Sequence, residues 1–377
     1  MTQPFPSTAP VWDDEPWTPL PPLEGDVEAD VCVVGLGGSG LSAVRELLGA
    51  GLRVVGVDAG MVGGGAAGRN GGFLLAGLAA FYHDAAAELG RERAARLYRM
   101  TMDELARIAA ETPEAVRLTG SLRIAADGGE RADCRAQLDA MRADGLPVES
   151  YEGPEGTGLL FPTDGTFQPL RRCRSLALRA RADGARLFER SAAVRVGGTQ
   201  VATTAGRVRC GAVVVAVDGR LEALLPEVEG RVRTARLQML ATAPAPEVRY
   251  PRPVYHRYGY EYWQQLPDGR VALGGFRDRA GDAEWTGDAE PSAFVQGELE
   301  RFLREHVGVR APVTHRWAAS VGYSRGVLPL LDEVRPGVWA AGGYSGTGNV
   351  VGALFGRAAA QLAAGGAAPL AAALAAP

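Results

Sequence analysis

Hydrophobic residues along the chain fall into two spacings. Val31 to Val34 is an uninterrupted apolar run, the pattern of a parallel strand buried on both faces. Leu41, Val44, Leu47 and Leu48 then recur at helical spacing, and "GAG" at 49–51 ends that helix. Val54 to Val57 is the next apolar run, closed by Asp58. From Asp84 to about Ala110, "AAAELGRERAARLYRMTMDELARIAA" repeats apolar residues at i, i+3 and i+4 and predicts helices. Ser121 to Asp127 reads as a strand and "RADCRAQLDAMRADG" as a further helix.

"VYHRYGYEYWQQLPDGRVALGGFR" predicts a hairpin that turns at "PDG". Unbroken alternation along its first arm would place His256, Tyr258, Tyr260, Tyr262 and Gln264 on one face. Tyr255, Arg257, Glu261, Trp263 and Gln265 would then lie on the other. The stretch before Gly25 is Pro-rich and reads as extended, with Trp12 and Trp17 as anchors. The Ala-rich tail "AAGGAAPLAAALAAP" reads as a frayed helical end.

A chain of 377 residues has ample material for a core and suggests two domains or one large one. Its composition is that of a globular protein. A formal net charge of -4 with no basic block argues against nucleic acid as a partner. No apolar run reaches membrane-spanning length. "MTQPFPSTAPVWDDEPW" lacks the basic start and apolar middle of a signal peptide, so the cytoplasm is the expected location. Cys32, Cys134, Cys173 and Cys210 show no C-x-x-C spacing, and the four histidines are scattered singly, so no metal site is expected. Every basic side chain is arginine. Without lysine, chemistry through a Schiff base to the protein is excluded.

The turn after Val34 carries the first chemistry. Gly35, Gly37 and Gly40 have G-x-G-x-x-G spacing. Gly35 permits a tight turn, Gly37 admits a pyrophosphate against the backbone, and Gly40 lets helix and strand approach. The helix start offers free N–H groups and a positive dipole end to phosphate. Asp58 stands at the distance that suits a ribose 2′-OH, and it would repel a 2′-phosphate. These features predict a dinucleotide site; by themselves they leave NAD and FAD open.

Longer segments narrow the choice. "PLPPLEGDVEADVCVVGLGGSGLSAVRELLGAGLRVVGVDAG" followed by "GGGAAGRNGG", then "TDGTFQPLRRCRSLALRARADGARLFERSAAVRV", "VRCGAVVVAVDGRLEALLP" and "GVWAAGGYSGTGNVVGALFGRAAAQLAAG" occur in that order. Together they resemble the glycine/D-amino-acid oxidase (DAO) superfamily of FAD-dependent oxidoreductases, and within it the γ-glutamylputrescine oxidase-like branch. The resemblance implies an α/β fold, with a discontinuous Rossmann-type FAD-binding domain over residues 1–83, 160–224 and 317–377. A substrate domain over 84–159 and 225–316 would carry a mostly antiparallel sheet and flanking helices.

It also implies roles. Gly35, Gly37, Gly38, Ser39 and Gly40 would hold the pyrophosphate, and Asp58 the adenosine ribose. Gly68, Arg69, Asn70, Gly71 and Gly72 would pass close to the flavin, and Val194 would read the adenine through its backbone. Ala216 and Gly343 also count among the cofactor positions. Gly346, Thr347, Gly348 and Asn349 would lie by the flavin's pyrimidine edge, where a helix N-terminus stabilises a reduced, anionic ring. Tyr258, Tyr260, Arg277 and Tyr344 are the candidate substrate contacts, with cation–π attraction open to the tyrosines.

The implied activity is oxidation of the C–N bond of an amine or amino acid to an imine, by hydride transfer to flavin N5 with oxygen as acceptor. A dehydrogenase that uses a quinone or carrier, and a non-catalytic flavin subunit, are the alternatives. Three departures stand out. Val321 occupies the place of a carboxylate-clamping arginine, which favours a simple or N-substituted amine, although Arg277 or Arg325 would serve as a replacement. Val321 and Gly322 offer no cysteine for covalent attachment, so FAD is expected to be non-covalent. Ala272 stands where some members have a lysine that activates oxygen.

Overall fold

In the computed structural model, which describes residues 8–375, four sheets are sandwiched with helices. The first is six-stranded, in the order Arg186–Phe188, Val54–Val57, Val31–Val34, Ala212–Val215, Val338–Gly342 and Leu330–Arg335. Its first five strands are parallel and the last is antiparallel. The uninterrupted apolar runs have a plain cause. Val33 and Val214 face one side and pack under helices, while Cys32, Val34, Val213 and Val215 face the other. That second side is covered by a four-stranded sheet of Gly25–Glu28, Gly206–Arg209, Gln200–Thr203 and Ala193–Gly197. A strand buried on both faces has no polar positions to alternate with.

The second large sheet has eight strands: Val313–Ser324, Val232–Pro244, Arg270–Gly275, Glu261–Gln265, Val254–His256, Ser121–Ile124, Gly156–Phe161 and Glu149–Gly153. Every pairing is antiparallel except that of Val254–His256 with Ser121–Ile124. The α/β class and the mostly antiparallel second sheet agree with the sequence reading. Trp317 lies in Val313–Ser324, which pairs along its length with Val232–Pro244, so the chain re-enters the six-stranded sheet only at Leu330. A short three-stranded sheet of Phe73–Leu74, Gly165–Phe167 and Val116–Arg117 lies between the two.

Two local readings change. The first arm of the expected hairpin is itself a hairpin, because Arg257, Tyr258 and Gly259 all take positive φ (49°, 58° and 81°) and turn the chain between His256 and Glu261. Tyr255 therefore pairs with Tyr262 and shares its face, while His256 turns to the opposite face beside Trp263, Phe302 and His306. The turn at Pro267–Gly269 forms as expected, with Leu266 and Arg270 bonded across it. The Ala-rich tail is docked. Pro369–Ala375 is a helix with Leu370 and Ala373 buried, and Arg93 donates to the Ala373 and Leu374 carbonyls. Its last two residues, like residues 1–7 of the Pro-rich start, lie outside the described region.

Both expected tryptophan anchors are engaged. Trp12 is 3% exposed and donates to the Asn70 carbonyl at 2.8 Å, and Trp17 donates to the buried Glu189 at 2.9 Å.

Candidate active site

The glycine turn is built by close approach. Gly35 has φ of 100°, and a Cβ there would stand 2.7 Å from the Ala216 carbonyl oxygen. A Cβ on Gly40 would stand 1.8 Å from the Gly35 oxygen, so the helix Gly38–Gly49 starts hard against the turn. Gly37 is the N-cap and supplies no side chain to the helix's first N–H groups. Gly37, Gly38 and Ser39 line the cavity, so this uncapped helix start borders the space a phosphate would need. Asp58, at the end of the neighbouring strand, accepts from Leu36 N–H at 2.7 Å and from Gly60 N–H at 2.8 Å. Each carboxylate oxygen keeps a lone pair for a ligand hydroxyl. Burial pushes its carboxyl above the usual range.

Arg69 and Asn70 act on the backbone of their own loop. Arg69 donates to the Gly64 and Ala318 carbonyls, and its own carbonyl accepts from the Trp317 indole at 2.7 Å. Asn70 donates to the Ala66 and Ala67 carbonyls and accepts from Gly72 N–H. Gly72 has φ of 70°, and a Cβ there would strike Gln264, Phe167 and Trp12. Asn349, at the start of the helix Val351–Ala363, donates to Asn70 Oδ1 at 3.1 Å and to the Phe73 carbonyl at 2.7 Å.

These pieces border one cavity of about 660 Å³. At one end it is walled by Gly35, Gly37, Gly38, Ser39, Asp58, Ala193 and Ala216. Arg69, Asn70 and Gly71 line its middle, facing Gly346, Thr347, Gly348 and Asn349. Its other end is an aromatic chamber with Phe73, Tyr255, Tyr260, Tyr262, Arg277 and Tyr323.

Some expected residues have other placements. Gly40, Gly68, Gly72 and Gly343 lie behind the wall and serve packing or turns. Val194, expected to act through its backbone, sits at a bulge between Ala193 and Arg195 and is 61% exposed, while its neighbour Ala193 lines the cavity. Tyr344 is not in the aromatic chamber: it is buried, and its hydroxyl is 2.8 Å from Ser39 Oγ at the glycine turn. Tyr258 stands at the mouth, 48% exposed, with its hydroxyl on Asp133 at 2.7 Å.

Strand register assembles the chamber floor. Arg123, Tyr255, Tyr262, Gly274, Met239 and Trp317 are successive cross-strand partners and form one row across the eight-stranded sheet. Tyr255 and Tyr262 stack with centroids 5.8 Å apart, and Phe73 packs edge-on to both. Gly274 makes room for this: a Cβ would lie 2.5 Å from the Tyr262 ring. Burial pushes the Tyr255 hydroxyl up to about 12 and Tyr262 higher still, so both are neutral at physiological pH. Arg277 stacks on Trp285 and Tyr323 at 4.9 and 4.6 Å and forms no ion pair among the described residues. Val321 lines the same chamber.

Three contributors escaped the sequence reading. Arg123 reaches the cavity from Ser121–Ile124, stacked 4.2 Å over Phe81 and bonded to Gln137. Tyr323 comes from a strand whose alternation gave no sign of it. Asp218, half-buried and at φ of 51°, accepts from the N–H groups of Gly322, Gly343 and Tyr344 and so ties its own strand end to two further segments. Burial pushes its carboxyl up to about 6. Its position directly after the apolar run 212–217, before Gly219, was the one available signal.

A dinucleotide turn on a parallel sheet, opening into a chamber floored by an antiparallel sheet, defines a two-part flavoprotein fold. The family model described as "FAD dependent oxidoreductase" (DAO) matches residues 30–362, and the chain belongs to that family. FAD is its cofactor, and the open helix start, the side-chain-free turn and Asp58 suit that group. The Rhizobium meliloti (strain 1021) protein named "Probable oxidoreductase OrdL" is 28% identical, over 92% of this chain and 85% of its own length. Gamma-glutamylputrescine oxidoreductase of Escherichia coli (strain K12) is 26% identical, over 92% of this chain and 86% of its own. In fold, the chain is similar to glycine oxidase from Geobacillus kaustophilus, with a TM-score of 0.73 at 21% identity, covering 90% of this chain and 95% of that one. No helix among the described residues is long and apolar enough to cross a membrane.

Proposed function

We propose that this protein oxidises the C–N bond of a small amine that carries a carboxylate, giving an imine, with oxygen as the acceptor. The observation that carries this reading is the single cavity joining the glycine turn to a tyrosine chamber with an unpaired arginine. FAD, when bound, supplies the two-electron oxidation. The Gly38–Gly49 helix start and Asp58 would hold its diphosphate and ribose, and the loop 68–72 its ring system.

The remaining work is binding and exclusion of water. Arg277 takes the place of the missing arginine at Val321, reaching the chamber from the end of Arg270–Gly275. A guanidinium packed against two touching rings is held in place and keeps its outward N–H groups for a carboxylate. The stacked Tyr255 and Tyr262 present π-faces and neutral hydroxyls to the amine. No histidine or glutamate lines the cavity among the described residues, and the carboxylate of Asp218 is taken up by backbone N–H groups. The chamber therefore selects the amine already neutral instead of deprotonating it. Relatives bear on the substrate through the E. coli protein, whose name specifies gamma-glutamylputrescine.

Anaerobic mixing with primary amines, N-methyl amines and D- and L-amino acids tests the reading. Bleaching of the flavin by carboxylate-bearing members is the expected result, and no bleaching by any of them overturns it. A second reading, a dehydrogenase with a carrier acceptor, is favoured by the lysine-free sequence. Dye reduction without hydrogen peroxide would establish that reading in place of the oxidase.

A further inference from the structure

Arg172, in the helix Pro169–Ala182, is 2% exposed. Its one hydrogen bond to a side chain is a long one, Nη2 to Ser42 Oγ at 3.5 Å, and its Nε has no partner. It forms no ion pair among the described residues. The nearby acids are taken: Arg357 binds Glu104 at 2.9 Å and Glu111 at 2.6 Å. An isolated buried cation costs several kcal/mol unless a counter-charge meets it.

The direction of the side chain shows where that counter-charge belongs. Arg172 lines the cavity at its glycine-turn end, and its Nη1 lies 3.1 Å from the point where a Cβ on Gly38 would stand. Gly38 opens the helix whose N-cap Gly37 bonds none of its N–H groups with a side chain, and whose first turn holds no acidic residue. An open helix start and an unpaired buried guanidinium thus converge on one corner of the cavity.

We propose that Arg172 is the counter-charge for the diphosphate of bound FAD, a cationic contact added to the helix dipole. This rests on FAD as the cofactor and is independent of the substrate reading. The guanidinium waits in the apoprotein at a cost in stability, and the dianion offsets that cost on binding. Its Nη1, beside Gly38, would contact the diphosphate alongside the backbone donors of the turn.

The test uses apoprotein stripped of flavin, FAD titration followed by quenching of flavin fluorescence, and melting with and without FAD. In Arg172→Met the FAD Kd is expected to rise about tenfold or more. Arg172→Lys, which keeps the charge, is expected to fall between Met and wild type. Apo Arg172→Met is expected to melt at or above apo wild type, while its FAD-induced rise in Tm shrinks. A Kd within twofold of wild type in Arg172→Met overturns the proposal. So does a lower apoprotein Tm with an undiminished FAD-induced shift, which is the signature of a packing role alone.

Discussion

Asn349 Nδ2 lies 3.1 Å from Asn70 Oδ1, a hydrogen bond between residues 279 apart in sequence. It joins the glycine-rich loop to the start of the last long helix, and both amides also bond backbone groups of the loop and its following strand. The two amides therefore act as one unit. Asn70→Ala and Asn349→Ala should each weaken FAD binding by roughly 1–2 kcal/mol, about 5- to 30-fold. The double variant should be little worse than the poorer single, and flavin titration of all three measures the coupling. Strict additivity would show that the bond does not shape the loop.

Arg277→Leu tests the carboxylate contact. Loss of a charge-assisted, rigidly held partner should lower kcat/KM about 10- to 100-fold for amines that carry a carboxylate, mainly through KM. Amines without a carboxylate should change less than threefold. Equal losses for both classes would assign Arg277 to packing against Trp285 and Tyr323.

Asp164 makes the fold pH-sensitive in a defined direction. It is 2% exposed, accepts from Ala76 N–H and Ser121 Oγ, and burial pushes its carboxyl from 3.8 up to about 7. The folded state thus holds the proton more tightly than the unfolded chain, so this group's contribution to stability falls as pH rises from about 4 to about 7. Asp164→Asn does not titrate. Relative to wild type it should gain stability across that window, on the order of 2–4 kcal/mol by pH 8, and then level off. Chemical denaturation at pH 5 and pH 8 reads the difference, and a gain that does not grow with pH would refute the assignment.

Gly356→Ala should separate the cofactor helix from its neighbour. A Cβ at 356 would stand 2.1 Å from the Ser39 carbonyl oxygen, and backbone on both sides leaves no flexible atom to yield. Overpacking of this kind costs roughly 1–3 kcal/mol, about 1–4 °C in Tm for a chain of this size. Because Ser39 lies in the first turn of the phosphate-facing helix, FAD affinity should fall together with Tm. A variant that melts and binds like wild type would mean that the two helices can slide apart without cost.

The same neighbourhood was readable from the chain because its demands are local. Gly35, Gly40 and Asp58 serve one turn between adjacent elements, and each requirement leaves its mark within a few residues. The tyrosine chamber is different. The pattern 254–265 reads as one strand, yet three consecutive positive φ angles at Arg257–Gly259 fold it back and exchange the faces of Tyr255 and His256. Such a turn at two non-glycine residues has no clear signature, because tertiary contacts hold it: Tyr258 N–H donates to Glu130, and Arg257 is gripped by Glu261 and Asp278.

Sequence alone determined the α/β class, the dinucleotide turn and the family resemblance with its cofactor, since backbone sterics and strand burial restrict residue type position by position. Tertiary structure alone decided that Arg123, Tyr255, Tyr262 and Met239 share one row, that Tyr344 serves the glycine turn, and that Arg172 is a buried cation without a carboxylate. Register and burial depend on which distant segments pack together, and no local pattern of the chain encodes that.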